Sequence, residues 1–274
     1  MIQDTTQAGP GLCYERTDTP TKEPEAGMVA PLRDAWRTLV PSRDGPHGPL
    51  TTVLVALTVV TGAVDAFSYL VLDHVFVANM TGNVLFVAFS LAGAPEFSWL
   101  SAAVSLLAFV VGASAAGRLS RRVAPHRGRQ LLVLCAAETV LLLAAYGCAL
   151  LVGLPGTAAG RYTLIVLTAL AMGMQGGLVR RLGVPDLSTL VMTTTIIGMA
   201  TDSRPGGGPD GRVGTRLVSV LALTVGALLG GLTARYVHPA LPLLLAGLIL
   251  AAVTAVAVRL ARSTGGWTRP PRKP

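Results

Sequence analysis

The sequence predicts an all-α membrane protein with six transmembrane helices and two short re-entrant or broken-helix segments, arranged as an inverted internal repeat. Of its 274 residues, 51% are hydrophobic and only 13% are charged, whereas a soluble domain carries roughly 25% charged residues. Uncharged apolar stretches of about 20 residues, the length that crosses a bilayer core of roughly 30 Å, follow one another from Leu50 onward. Lipid is therefore the solvent for most of the chain.

Three regions follow from this distribution. Residues 1–49 are rich in Pro, Thr and charge and contain no apolar run of the kind a signal peptide needs, so a disordered polar cytoplasmic tail is expected. Residues 50–260 form the transmembrane domain, whose repeat halves cover about 50–153 and 162–260. Residues 261–274 form a basic cytoplasmic tail.

Eight apolar segments can be distinguished, and six of them are long enough to span a bilayer as helices. In order they are Leu50–Leu72, Val75–Gly93, Trp99–Leu119, Gln130–Gly153, Tyr162–Leu182, Leu187–Ala200, Thr215–Ala234 and Ala240–Leu260. The second is interrupted by Asn79, Gly82 and Asn83, and the sixth has only fourteen residues around a triple-threonine centre. These two are expected to enter the membrane and return.

The same order of long, short, long and long segments occurs in both halves of the chain. When the halves are aligned, Gly62 meets Gly173 and Gly112 meets Gly226. Apolar helices resemble one another by composition alone, so a chance match is the alternative explanation. The shared order of elements favours a duplication.

The placement of basic residues distinguishes six spans from eight, because Lys and Arg collect in cytoplasmic loops. Five arginines lie in the loop at 118–129, which would be outside if all eight segments spanned. If the two short segments return, this loop and the other basic loops lie inside, and only Arg161 and Arg235 lie outside. Both termini are then cytoplasmic and the halves are inverted. An eight-helix bundle with parallel repeats is the alternative.

Two acidic residues lie within apolar segments, where a charge is costly. Asp65 follows Gly62 deep in the first segment, and either a proton-coupling or cation site or a carboxylate that caps or pairs with a neighbour would explain it. Glu138 is the second candidate for proton coupling. Alternatively, its side chain reaches the arginines of the loop at 118–129.

Amides and hydroxyls interrupt the two short segments in the way that an unwound helix needs if it is to bind a solute. The candidate substrate-binding residues are Asp65, Asn79, Thr81, Asn83, Gln175, Thr193 and Thr194. The alternative is that the Ser, Thr and Asn side chains only hydrogen-bond between helices.

No enzyme activity, metal site or cofactor is expected. The four histidines lie at scattered positions in loops and tails, and none forms a metal motif or a nucleophile triad. The formal charge of +8 belongs mostly to residues beside apolar segments, which indicates membrane topology and not nucleic-acid binding. The expected partners are membrane lipid and a small solute; a homo-oligomer is left open.

Three stretches resemble the bacterial YoaK family of multi-pass membrane proteins, which bear a domain of unknown function. They are Gly62-Ala-Val-Asp-Ala66, Val75-Phe-Val-Ala-Asn-Met-Thr-Gly-Asn83 and Gly173-Met-Gln175 running into Arg180-Arg181-Leu182-Gly183. The chain departs from the family where it has Gln175-Gly-Gly177 and Thr193-Thr194. The resemblance implies six spans and a bacterial cytoplasmic membrane, and implies no substrate.

The leading functional hypothesis is a secondary-type small-solute permease, with the solute held between residues 79–83 and 188–195 and with Asp65 as a proton-coupling group. The alternative is a non-transporting membrane scaffold or sensor whose polar residues only hold helices together.

Overall fold

A computed structural model describes residues 29–40, 48–123, 126–154, 156–184, 192–203 and 212–268. The helices in these ranges are α1 (Val29–Leu39), α2 (Leu50–Val71), α3 (Met80–Leu91), α4 (Trp99–Arg122), α5 (Arg127–Val152), α6 (Ala158–Leu182), α7 (Met192–Thr201), α8 (Val213–Tyr236) and α9 (Leu241–Leu260), followed by a 3₁₀ turn at Gly266–Thr268. No strand occurs in these ranges. The predicted all-α class is confirmed.

Six of the helices, α2, α4, α5, α6, α8 and α9, are long and apolar enough to cross a membrane. This agrees with the predicted number of spans. The remaining apolar segments give shorter helices, since α3 has 12 residues and α7 has 10. At 1.5 Å per residue these helices are about 18 and 15 Å long, well short of a hydrocarbon core of roughly 30 Å.

Part of the region expected to be a disordered tail is helical, because α1 lies within residues 1–49. The rest of that region up to residue 47, apart from Val40, lies outside the described residues. The helix packs against the start of α8, where the Asp34 carboxylate accepts hydrogen bonds from the Thr215 amide at 2.9 Å and the Thr215 hydroxyl at 3.1 Å. A carboxylate in the first turn of a helix also interacts favourably with the helix dipole.

Close contact between α2 and α8 depends on glycine. Gly226 lies directly against the carbonyl group of Val59, and Gly230 lies against the backbone of Ala63. A Cβ atom at Gly230 would be 2.7 Å from the carbonyl oxygen of Ala63. Because both contacts advance in the same direction along the two helices, α2 and α8 run parallel.

A matching crossing joins α4 and α6. Gly112 lies against the carbonyl group of Leu170, and Gly177 lies 2.7 Å, measured from an added Cβ atom, from the Cβ atom of Ala116. These helices are also parallel. The glycines at the two crossings are the residues that the predicted repeat aligns with each other, and small residues at such positions are the usual means of close helix packing in membranes.

The third pair, α5 and α9, runs antiparallel. Gly128, near the start of α5, packs on Leu260 at the end of α9, and the Thr139 and Thr254 hydroxyls meet at 3.2 Å near the middle of α5. If α7 crossed the membrane between them, α5 and α9 would be parallel. The observed direction is the one that six crossings give.

One end of the bundle collects most of the arginines that the structure describes. Arg181 reaches the carbonyl group of Gly117, and His126 lies 2.9 Å from the carbonyl oxygen of Ser263, so the ends of α4, α6 and α9 and the start of α5 are neighbours. The opposite end has the ion pair of Arg161 with Asp73 at 3.2 Å. Helix α1 lies at the arginine-rich end.

Cysteine labelling tests this arrangement. In a background with Cys13→Ser and Cys148→Ser, we expect an impermeant thiol reagent to label Glu96→Cys and Val237→Cys from the same face of the membrane. Arg122→Cys and Thr264→Cys should react only from the other face. Eight crossings would instead place positions 96 and 237 on opposite faces. The buried Cys135 serves as an unreactive internal control.

Candidate functional site

The chain turns back along α2 after that helix ends. The amides of Val77 and Ala78 donate hydrogen bonds to Asp65 Oδ1, with nitrogen–oxygen distances of 3.0 and 2.8 Å. Asp65 lies six residues before the end of α2 at Val71. The irregular segment before α3 therefore reaches back to the depth of Asp65, and α3 starts there.

Asn83 holds this segment from the other side. Its Oδ1 accepts the Phe76 amide at 3.0 Å, and its Nδ2 donates to the Phe76 carbonyl at 2.6 Å and to Ser105 Oγ at 3.2 Å. Ser105 Oγ in turn donates to the Phe76 carbonyl at 2.7 Å. Asn83 has no exposed surface, so one buried amide ties the backbone of Phe76 to α3 and α4.

A column of stacked aromatic rings reinforces the same segment. Ring centroids are 5.0 Å apart for Tyr69 and Phe76, 5.6 Å for Phe76 and Phe86, and 4.7 Å for Phe86 and Phe97. Such stacking stabilises by about 0.5–1.5 kcal/mol per pair beyond the burial of area. The column links α2, the irregular segment, α3 and the loop before α4.

A cavity of about 660 Å³ lies between α2, α8 and the first turns of the short helices α3 and α7. Its wall consists of Thr61, Gly62, Asp65, Ala66, Tyr69, Leu70, Phe76, Ala78, Asn79, Thr81, Gly82, Leu85, Met192, Thr193, Leu223 and Ala227. Four predicted site residues, Asp65, Asn79, Thr81 and Thr193, thus meet at one cavity. They come from α2, α3 and α7.

The other predicted site residues do not line this cavity. Asn83 lies behind its wall in the hydrogen-bonded cluster with Phe76. Gln175 is fully buried and donates to Thr61 Oγ1 at 2.7 Å and to the Leu57 carbonyl at 3.2 Å, so it contacts the wall from the α6 side. Thr194 neighbours Thr193 at the start of α7 and does not line the cavity either.

Glu138, the second predicted proton-coupling residue, is fully buried in α5 and does not line the cavity. Neither of its carboxyl oxygens has a hydrogen-bond partner among the described residues. An unpartnered buried carboxyl group costs free energy. The alternative of a pair with the arginines at 118–129 is not seen, because no arginine of the described part of that loop contacts Glu138.

Sequence reasoning did not identify Thr61 and Tyr69 as parts of the site. Both line the cavity on either side of Asp65. The spacing of four residues on each side places all three on one face of α2. Helical periodicity around Asp65 could therefore have found both of them.

Asp65 is the only charged side chain among the described residues that line the cavity. In the described part of the chain, no basic side chain pairs with it. Its hydrogen bonds come instead from backbone amides, whose dipoles offset part of a negative charge. Across the ranges that the structure covers, no three His, Cys, Asp or Glu residues lie close enough together to hold a metal ion.

Residues 53–256 match the sequence profile of a family described as "Protein of unknown function (DUF1275)". The chain is also similar to the UPF0700 transmembrane protein YoaK of Bacillus subtilis (strain 168), with 27% identity over 155 residues. That match covers 55% of this chain and 66% of YoaK, just under two thirds of the relative's length. No solved structure matches the chain significantly.

Proposed function

Because the chain belongs to the DUF1275 family of proteins of unknown function, for which no activity is available to transfer, we propose from the site itself that this integral membrane protein is a secondary-type small-solute permease. The observation that carries the proposal is the cavity between the first turns of the two short helices, α3 and α7. These helices belong to opposite halves of the predicted repeat. Secondary transporters commonly bind solutes where interrupted helices of inverted repeats meet.

The packing supports an inverted repeat for this purpose. Helices α2 and α8 run parallel, as do α4 and α6, whereas α5 and α9 run antiparallel. Consecutive spans alternate in direction, so α2 and α6, the first spans of the two halves, have opposite orientations. Rocking of two such halves about a central site would open the cavity to each face in turn.

The proposal also includes location and partners. The arginine-rich end, which carries α1, is the cytoplasmic face of a bacterial cytoplasmic membrane, as the excess of basic residues favours, and both termini lie there. Membrane lipid and a small solute are the partners, and no nucleic acid is involved. The protein makes or breaks no covalent bond in the solute.

A single cysteine in the cavity tests alternating access before any solute is known. With Cys13→Ser and Cys148→Ser, we expect Thr193→Cys to react with an impermeant thiol reagent in both right-side-out and inside-out vesicles. Access from both faces follows if the cavity opens to each side in turn. Cys135, buried within α5, should stay unlabelled in both preparations.

Reaction from one face only would contradict the permease and favour a scaffold or sensor. The specific observation behind that alternative is the use of Asn83 and Gln175 as hydrogen-bonded links between segments. A scaffold predicts that substitutions at the cavity change thermal stability in detergent without changing any flux. A permease predicts that Asp65→Asn changes flux more than stability.

A further inference from the structure

We propose that the cavity binds a small organic cation, with its ammonium group against Asp65 and its apolar body against the rest of the wall. This rests on the proposed function in one respect, because it names the solute class for the same cavity. The binding itself requires no transport. It can therefore be tested separately.

Charge is the first argument. A carboxylate within a membrane protein requires a compensating group, and such residues are commonly paired with a basic side chain. Asp65 has no such partner in the described part of the chain, and the Val77 and Ala78 amides on Oδ1 offset its charge only in part. The compensating cation is then a solute in the cavity that Asp65 lines.

Size and composition of the wall distinguish an organic cation from a metal ion. The cavity of about 660 Å³ falls in the range of roughly 300–1,000 Å³ that is usual for drug-sized ligands. Hard metal ions require a close shell of oxygen ligands, whereas most of this wall is Gly, Ala, Leu, Met and Phe. An amphipathic amine fits both parts of the wall.

Hydrogen bonding completes the match. Asn79, Thr81 and Thr193 bring an amide oxygen and two hydroxyl oxygens to the wall that holds Asp65. Amide and hydroxyl oxygens accept hydrogen bonds, and an ammonium group has only donors. An anionic solute would find no basic side chain among the described residues of this wall.

Three probes with one benzyl frame test the inference on the full-length protein in detergent. They are benzylammonium, benzyl alcohol and benzoate, followed by titration calorimetry. We expect benzylammonium to bind most tightly. Asp65→Asn should weaken its binding by about tenfold or more and leave benzyl alcohol unchanged. The asparagine keeps an Oδ1 atom for the Val77 and Ala78 amides, so the fold should be retained.

Two further variants complete the design. Glu96→Gln removes an exposed carboxylate from the loop before α4 and should leave benzylammonium binding unchanged. Thr193→Phe adds a ring to the wall from α7 and should weaken benzylammonium binding without a change of charge. Equal affinity of benzylammonium for the parent and for Asp65→Asn would overturn the inference, as would tighter binding of benzoate.

Failure of the inference and failure of the permease can be told apart. If binding depends on Asp65 but Thr193→Cys reacts from one face only, the cation site stands and the permease falls. If Thr193→Cys reacts from both faces and benzylammonium binding does not depend on Asp65, the permease stands and the cation site falls.

Discussion

Gly226→Ala should destabilise the protein by about 3 kcal/mol or more, at the upper end of what overpacking usually costs. The added Cβ atom would lie inside the contact distance of the Val59 carbonyl group, and the clash is with backbone. No side-chain rotation can relieve it, so α8 must move away from α2. Thermal or denaturant unfolding in detergent, followed by circular dichroism, measures the change.

The same helix provides a matched control. At Gly231 an added Cβ atom would meet only Leu70 Cδ1, at 3.6 Å. Gly231→Ala should therefore be neutral, or stabilising by up to about 1 kcal/mol because alanine favours the helix. Gly173→Ala, at the crossing of α4 and α6, should behave as Gly226→Ala does. Equal stability of Gly226→Ala and Gly231→Ala would show that the close approach is not as described.

Asn83→Ala should cost about 2–4 kcal/mol, because it leaves buried groups without partners. The Phe76 amide loses its acceptor, and the Phe76 carbonyl keeps only Ser105. The segment before α3 should then loosen and the cavity wall with it. We expect a lower unfolding temperature together with faster labelling of Thr193→Cys in the same background.

Asn79→Ala is the control for this variant. Asn79 precedes α3 and lines the cavity, but its side chain makes no capping hydrogen bond to that helix. Its substitution should have a much smaller effect on unfolding, although it removes the same functional group four residues away. Similar losses for Asn79→Ala and Asn83→Ala would argue against the special position of Asn83.

Sequence predicted the six spans because segment length and charge exclusion act locally. It also identified both short segments, since Asn79 and Gly82 interrupt one and a triple threonine lies in the other. Hydropathy could not reveal α1, because a short helix on the surface of the bundle is stabilised by contacts such as Asp34 with Thr215. Those contacts join positions far apart in the chain.

The candidate site was predictable only in part, for a similar reason. Asp65 is conspicuous in an apolar helix, and the polar breaks indicated where the short helices begin. The difference between Asn79, which lines the cavity, and Asn83, which is buried behind it, depends on the helical turn between them and on Ser105 in α4. Gln175 likewise finds Thr61 only once α6 lies beside α2.

The glycine crossings have a consequence for how the chain is assembled during synthesis. Helix α2 is among the first segments to enter the membrane, yet its glycine-bearing surface is completed only by α8, more than half of the chain later. The crossing of α4 with α6 forms earlier, after fewer residues have been made. A ribosome stalled before residue 213 would thus hold an inserted but incomplete bundle, whose first helix has no neighbour at Val59. Assembly ends with the closure of the α2 surface, and a truncated chain lacking α8 should be a substrate for membrane proteases.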